Sequence, residues 1–168
     1  EKFDPPSGPD SVSTFHTTPG TNVPYWNDTS SFSISAPNSY HAKIVPFDSI
    51  IFQTDTFSTV GNVFVSLTFA QICKVHFGQH AYIRVSSDNG TTWTRLNGSH
   101  YSGASPAFPT AGYFNELSYA NPNASPYWGG LTTAGTGSSP SQSWWVGETF
   151  DISSILGNGP SGTANGYS

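Results

Sequence analysis

The sequence predicts an all-β fold in which two antiparallel sheets pack as a jelly-roll-like sandwich, with one long loop insertion. Three observations carry this prediction. Apolar residues almost never recur at helical spacing. Thirteen prolines and seventeen glycines interrupt the 168 residues too often for long helices. Short runs of alternating side chains recur between turn residues, and eight or nine such runs are typical of two packed sheets.

The clearest predicted strand spans residues 62–70. Val63 and Val65 point to one face of this strand, while Phe64 and Ser66 point to the other. Because both faces carry apolar residues, we expect the strand to lie centrally in the sandwich. The other predicted strands are residues 11–15, 32–34, 40–45, 49–57, 74–77, 81–86, 92–96 and 144–150.

Composition divides the chain into three parts around one domain, the number expected for 168 residues. Residues 1–31 hold five prolines and are predicted to form an extended N-terminal arm that joins the sandwich. Residues 32–157 are predicted to form the sandwich, with an insertion at 104–143 that is too long for a plain connection. Residues 158–168 are small and polar, which indicates a flexible tail and a truncation or fragment end.

Charge and hydropathy argue against a nucleic-acid partner and against a membrane span. Five Lys and Arg residues face ten Asp and Glu residues, and the net charge of -5 argues against a nucleic-acid partner, which requires a clustered basic face. No apolar run reaches the ~18 residues that a membrane span needs, so the chain is not expected to cross a membrane. Low charge combined with 15% aromatic residues is typical of an extracellular β domain.

Cysteine and methionine usage bears on the compartment. The single cysteine, Cys73, cannot form an internal disulfide and lies in an apolar run, where a buried small hydrophobe is the expectation. The chain begins at Glu1 and contains no methionine, which fits a mature exported product or an excised fragment. We therefore expect a secreted protein of the extracellular space or the bacterial outer cell surface.

The stretch RVSSDNGTTWTRL predicts a β-hairpin. Alternating residues precede Asp88, whose carboxylate can accept hydrogen bonds from turn amides, and Gly90 supplies a residue free to take positive φ. Trp93 begins the returning strand and is expected to pack beneath the turn. The pattern resembles the Asp-box, a structural hairpin of sialidases, reelin-type repeats and bacterial surface sandwiches. Its residues here are Ser86, Asp88, Gly90, Thr92 and Trp93.

The surroundings of this hairpin narrow the resemblance. VFVSLTF at residues 63–69 and AYIRVS at 81–86 precede the turn, and WVGETFDISS follows at 145–154. In this order they resemble the cleaved-adhesin and MAM-like jelly-roll domains of secreted bacterial surface proteins, many of them substrates of type nine secretion. Two features depart from that pattern: no apolar strand follows residue 154, and the insertion at 104–143 is longer than the family needs.

The resemblance also implies a structural calcium ion held by carboxylates from both ends of the domain. Calcium binds six to eight oxygen ligands, so several carboxylates and carbonyls must converge. The alternative reading is that these are ordinary solvated carboxylates. The residues that the resemblance nominates are Asp4, Asp10, Glu148 and Asp151.

No catalytic residue is predicted. His76 and His80 are four residues apart, a spacing that brings two imidazoles together in a helix, but the residues between them read as a turn. The chain has no G-x-S-x-G elbow. A glycosidase would need two carboxylates facing each other across a cleft. Four acids that could be placed so, with no pattern that selects them, are Asp55, Glu116, Glu148 and Asp151.

Aromatic pairs in or beside loops predict a binding surface. Exposed rings stack on sugars and also anchor protein interfaces. Adjacent aromatics on a strand point to opposite sides, so one ring of each pair is expected to fill the core. The predicted surface residues are Tyr25, Trp26, Tyr127, Trp128 and Trp144.

These observations predict a non-catalytic extracellular domain that mediates adhesion or partner binding on a bacterial surface, as part of a larger chain or assembly. Its partner would be a protein or a glycan on a cell surface. The alternative is a carbohydrate-binding accessory module of a secreted hydrolase. The insertion at 104–143 and the aromatic pairs would form the contact surface in either case.

Overall fold

The computed structural model describes residues 12–16, 26–30, 32–34, 38–42, 49–54, 56–121, 123, 128 and 140–156. The chain divides into two compact units, residues 1–55 and 56–168. The predicted tail at 158–168 lies outside the described residues. In chain order the strands are β1 (Val12–His16), β2 (Asn27–Thr29), β3 (Ser39–His41), β4 (Ile50–Thr54), β5 (Ser66–Gln71), β6 (Arg84–Val85), β7 (Thr94–Arg95) and β8 (Val146–Asp151).

The first unit contains two antiparallel strand pairs. β1 pairs with β4 from Val12 opposite Thr54 to His16 opposite Ile50, and β2 pairs with β3. Phe52 of β4 makes edge-on ring contacts with Trp26, at 5.5 Å between ring centroids, and with Tyr40, at 4.9 Å. Such aromatic pairs favour edge-to-face geometry. Among the described residues, these ring contacts join the β1–β4 pair to the β2–β3 pair.

The second unit is organised around β5 and β8. These strands pair antiparallel over six residues, and a bridge joins Tyr101 to Phe150 of β8. β6 and β7 form the second pair, with Arg84 opposite Arg95. Three short helices accompany them: α1 (Phe108–Ala111), a 3-10 turn at Gln142–Trp144, and α2 (Ser153–Leu156).

The core of the second unit lies on one face of β8. Burial alternates along this strand, so that Glu148 and Phe150 face inward while Gly147 and Asp151 are exposed. The Phe150 ring packs edge-on against Phe108 at 5.2 Å between centroids. The buried hydrophobic residues are Cys73, Val85, Leu96, Phe108, Phe114, Tyr119, Trp128, Val146, Phe150, Ile152 and Leu156.

The insertion at 104–143 differs from the predicted surface loop in that several of its described side chains are buried. It contains α1 and contributes Phe108, Phe114 and Tyr119 to the core. Because large aromatic side chains bury the most apolar area, they pack inward even though glycine, proline and serine surround them. Ser105 begins the segment with a buried hydroxyl that accepts the Phe108 amide at 3.2 Å and donates to the Ser118 carbonyl at 2.9 Å.

The all-β class is confirmed, since the described residues form eight strands and three short helices. They form four separate two-stranded sheets. Two predicted strands are wrong: residues 32–34 and 74–77 are described and are not strands. In 74–77 the backbone bonds to a loop instead, because the Phe77 amide donates to Glu116 Oε1 and the Phe77 carbonyl accepts from Asn115 Nδ2, both at 2.9 Å.

Other predicted strands survive in shorter or shifted form. The predicted strand at 62–70 begins at Ser66, because the Val65 amide donates to the Ser153 hydroxyl at 2.8 Å in place of a backbone carbonyl. The predicted strand at 144–150 starts at Val146, after the 3-10 turn. No helix among the described residues is long and apolar enough to span a bilayer.

Candidate functional site

The turn between β6 and β7 is built on one serine hydroxyl. Ser86 is buried, and its Oγ donates to Asp88 Oδ1 at 2.7 Å while accepting the Gly90 amide at 2.8 Å. Asn89 and Gly90 take φ angles of 56° and 82°, a region that favours glycine and tolerates asparagine. The hydrogen bonds that define this turn therefore join residues at most four apart in the chain.

Asp88 joins the two sides of this turn. Its Oδ1 accepts the Thr92 amide at 2.8 Å and its Oδ2 accepts the Thr92 hydroxyl at 2.6 Å. These bonds to Thr92, and the one from Ser86, favour the ionised carboxylate and lower the Asp88 pKa to about 2. Trp93 closes the turn by donating its indole N–H to the Gly90 carbonyl at 3.1 Å. Asp88 thus holds Thr92 by both its backbone amide and its side-chain hydroxyl.

The outward side of the hairpin carries arginine and aromatic residues. Arg84 and Arg95 are directly opposite each other, and the antiparallel register places Tyr82 and Trp93 on the same side, two residues along each strand. All four side chains are exposed, Trp93 by 42%. We call this set, Tyr82, Arg84, Trp93 and Arg95, the hairpin face.

Arg95 is the fixed member of the hairpin face. Its Nε and Nη2 donate to the Gly112 carbonyl at 3.2 and 2.9 Å, and Nη2 also donates to the Ala111 carbonyl at 3.3 Å. These carbonyls end α1, where Gly112 takes a left-handed φ of 66° and leaves acceptors open. The guanidinium carbon lies 3.9 Å from the Tyr82 ring centroid. Arg95 therefore ties the hairpin to α1.

A second polar cluster lies inside the core of the second unit. Glu148 is 1% exposed and accepts hydrogen bonds from the hydroxyls of Tyr101 and Tyr119, one on each carboxylate oxygen. The Ser105 amide donates to the Tyr101 hydroxyl at 2.6 Å, and Gln71 Nε2 donates to Glu148 Oε1 at 3.4 Å. Burial raises the pKa of both tyrosines, and their bonds to Glu148 raise it further.

The carboxylates nominated for calcium do not converge where they are described. Glu148 and Asp151 are three residues apart on β8, so they lie on opposite faces, one buried and one exposed. Asp151 Oδ1 instead accepts the Ser153 amide at 2.9 Å, and its bonds to Ser153 lower its pKa. These two carboxylates do not fit one shared ion. Asp4 and Asp10 lie outside the described residues.

The two histidines considered as metal ligands bond to other groups. His76 Nδ1 accepts the Gly78 amide at 3.1 Å. His80 Nδ1 lies 2.9 Å from the Tyr82 hydroxyl, and its ring centroid is 3.9 Å from that of Tyr113. Within the described ranges there is no group of three or more His, Cys, Asp or Glu residues that could hold a metal ion.

The structure separates the residues of the predicted aromatic surface. Trp128 is 0% exposed and donates its indole N–H to the Trp144 carbonyl at 2.9 Å. It therefore belongs to the core, and its predicted position on a binding surface is wrong. Trp144 is half-buried, with Lys74 Nζ 4.9 Å from its ring centroid. Trp26 is half-buried against Phe52 of the first unit. Tyr25 and Tyr127 lie outside the described residues.

Sequence reasoning missed the hairpin face and the buried cluster around Glu148. The hairpin face could have been found by extending the Asp-box register outward, which pairs Arg84 with Arg95. The Glu148 cluster offered no comparable signal, because Tyr101 and Tyr119 are 47 and 29 residues away from Glu148 in the chain.

Comparison with known proteins gives no relative. No protein-family model matches the chain, and neither the curated proteins nor the solved structures contain a match. The resemblance to cleaved-adhesin and MAM-like domains therefore stays a prediction.

Proposed function

We propose that this chain is a non-catalytic extracellular domain that mediates adhesion or partner binding on a bacterial cell surface, as part of a larger chain or assembly. The observation that carries the proposal is the hairpin face. It presents Tyr82, Trp93 and two arginines to solvent on a turn held by several hydrogen bonds. Tyrosine, tryptophan and arginine are the residue types that dominate binding energy at interfaces.

Rigidity supports a binding role for this surface. The Trp93 indole N–H is bonded to the Gly90 carbonyl, and Arg95 is bonded to two carbonyls of α1, so neither side chain has to be ordered when a partner docks. Ordering a long side chain at an interface costs about 0.5–1.5 kcal/mol. A surface with its anchors already in place avoids much of that cost.

The use of the described carboxylates supports a non-catalytic role. Asp88 holds the turn, Asp151 accepts the Ser153 amide, and both oxygens of buried Glu148 accept tyrosine hydroxyls. A glycosidase acid and base must instead face a substrate across an open cleft. Asp88 and Asp151 stabilise local turns, and Glu148 joins segments that are distant in the chain.

The alternative function is a carbohydrate-binding accessory module of a secreted hydrolase. One observation favours it specifically. Trp93 is 42% exposed on the same hairpin face as Arg84, and an exposed indole that shares a surface with a polar donor suits a pyranose ring. The two functions share one surface, and a glycan partner is compatible with both.

The experiment is an adhesion assay with the full chain on intact cells, compared with Trp93→Ala. We expect Trp93→Ala to abolish most adhesion, because it removes the largest exposed ring of the hairpin face. Phe64→Ala is the matched control, since Phe64 is a more exposed aromatic residue outside that face. Equal adhesion of the wild type and Trp93→Ala would contradict the proposal.

Enzymatic digestion of the target cells then identifies the class of partner. Loss of adhesion after protease treatment of the cells points to a protein partner. Loss after removal of surface glycans points to a glycan partner, which both functions allow. Hydrolytic turnover that persists in Trp93→Ala but disappears in Glu148→Gln would contradict both functions.

A further inference from the structure

The two arginines of the chain lie together on the hairpin face. The sequence holds five Lys and Arg residues against ten Asp and Glu residues, and its only arginines are Arg84 and Arg95. They occupy directly opposite positions on β6 and β7. Like charges placed opposite each other on an antiparallel pair are destabilising. The pairing concentrates positive charge at one point of an acidic protein.

Arg84 differs from Arg95 in how its guanidinium is used. Arg95 donates to the carbonyls of Ala111 and Gly112. Arg84 is exposed and makes no hydrogen bond or ion pair with any residue in the described part of the chain. Asp88, the acidic residue of the same hairpin, is bonded to Ser86 and Thr92 in the turn. The planar fork of Arg84 is left open for an external anion.

Trp93 shares the exposed face of the hairpin with Arg84. The register places Trp93 diagonally across from Arg84, a relationship that separates residues by about 7–8 Å on an antiparallel ribbon. At this separation, a sugar ring stacked on Trp93 can place an acidic substituent against the Arg84 guanidinium. Arginine binds carboxylates through two parallel hydrogen bonds, which gives geometric selectivity as well as attraction.

We propose that the hairpin face binds a uronate-bearing polysaccharide, with a pyranose ring on Trp93 and the sugar carboxylate on Arg84. This inference rests on the proposed binding function and names its ligand class. A bound carboxylate would also relieve the repulsion between Arg84 and Arg95. A two-stranded ribbon offers a shallow surface, which suits flat sugar rings, whereas protein hot spots are typically buried in well-packed pockets.

The test is calorimetric titration of the full chain with oligogalacturonate at low salt. We expect binding to weaken by about tenfold or more when the ligand is methyl-esterified, because the same rings then lack the charge that Arg84 binds. Arg84→Gln is expected to cause a similar loss while its Tm stays equal to or above that of the wild type, since the variant removes the opposed charge. Trp93→Ala should also weaken binding.

Lys74→Gln is the matched control. It removes one positive charge beside Trp144 and leaves the hairpin face unchanged, so its affinity should stay within about threefold of the wild type, a difference below 1 kcal/mol. A loss in Lys74→Gln as large as that in Arg84→Gln would overturn the inference, because binding would then follow net charge alone. Equal affinity for polyglutamate would overturn it in favour of an acidic peptide.

Failure of this inference is distinguishable from failure of the proposed function. If the chain does not bind oligogalacturonate but adheres to cells in a Trp93-dependent manner, the ligand class is contradicted and the proposed binding function is not. A chain that neither binds oligogalacturonate nor adheres to cells contradicts both.

Discussion

Glu148 and Tyr119 form a hydrogen bond inside the core, between a carboxylate on β8 and a hydroxyl from the segment predicted to be a surface loop. Tyr101 donates to the other carboxylate oxygen. A buried carboxylate needs such donors, because an unpaired charge in the core is strongly unfavourable. This hydrogen bond ties the described part of the insertion to β8.

Replacing the carboxylate tests this anchor. Glu148→Gln keeps the side-chain size but removes the charge that both tyrosines bind. We expect a loss of about 1.5–3 kcal/mol, the contribution of a hydrogen bond to a charged group. For a chain of this length, Tm then falls by about 2–4 °C per kcal/mol, which calorimetry can measure. The control is Thr149→Ser, a mild change at the neighbouring β8 position.

The same cluster predicts a loss of stability at high pH. Burial and the bonds to Glu148 raise the pKa of Tyr101 and Tyr119 above the ordinary value of 10.0. Their contribution is complete below pH 10 and declines above it, because the unfolded chain then releases protons that the folded chain retains. Phenolate absorbance should show two of the eight tyrosines ionising only as the chain unfolds. Ionisation of all eight before unfolding would contradict this.

Gly103 is predicted to be intolerant of a side chain. An added Cβ would collide with Glu148 Oε2 and lie 2.6 Å from the Tyr101 hydroxyl oxygen. Since both groups are held in the core, we expect Gly103→Ala to cost about 1–3 kcal/mol. Gly147→Ala is the matched control, because a Cβ there meets nothing within 4 Å and should change stability by less than about 0.5 kcal/mol. Equal Tm values for the two variants would contradict the packing.

The two tryptophans at opposite extremes of burial should separate folding from binding. Trp128→Ala empties a fully buried site and is expected to destabilise the chain by about 3–5 kcal/mol. Trp93→Ala, at an exposed site, should lose much less stability and more ligand binding. Chemical denaturation and titration of both variants measure the contrast. A stable Trp128→Ala that no longer binds would restore Trp128 to the binding surface.

Acid should weaken the Asp88 turn. The pKa of this carboxyl is lowered from 3.8 to about 2 by its bonds to Thr92 and Ser86. A lowered pKa means that the stabilisation is present above pH 4 and is lost as the pH falls towards 2. Asp88→Asn never ionises, so its Tm should lie below that of the wild type at neutral pH, and the gap should shrink in acid. A gap that is constant across this range would contradict the role of the charge.

The sequence by itself determined the hairpin of Ser86 to Trp93 and the all-β class. Every hydrogen bond that Asp88 makes in the turn joins residues at most four apart, so the local sequence specifies it. The strand pattern is also local, since alternation along a short run is set by the period of the extended chain. Where local bonding competed, as in residues 74–77, alternation alone predicted a strand that does not form.

Tertiary structure alone decided which aromatic rings are buried and where the charges lie. Trp128 and Trp93 both sit in polar surroundings in the sequence, yet one fills the core and the other is exposed, because burial depends on partners distant in the chain. Glu148 resembled a solvated carboxylate until Tyr101 and Tyr119 came together around it. Contacts over such separations follow from packing of the whole unit, and no local pattern encodes them.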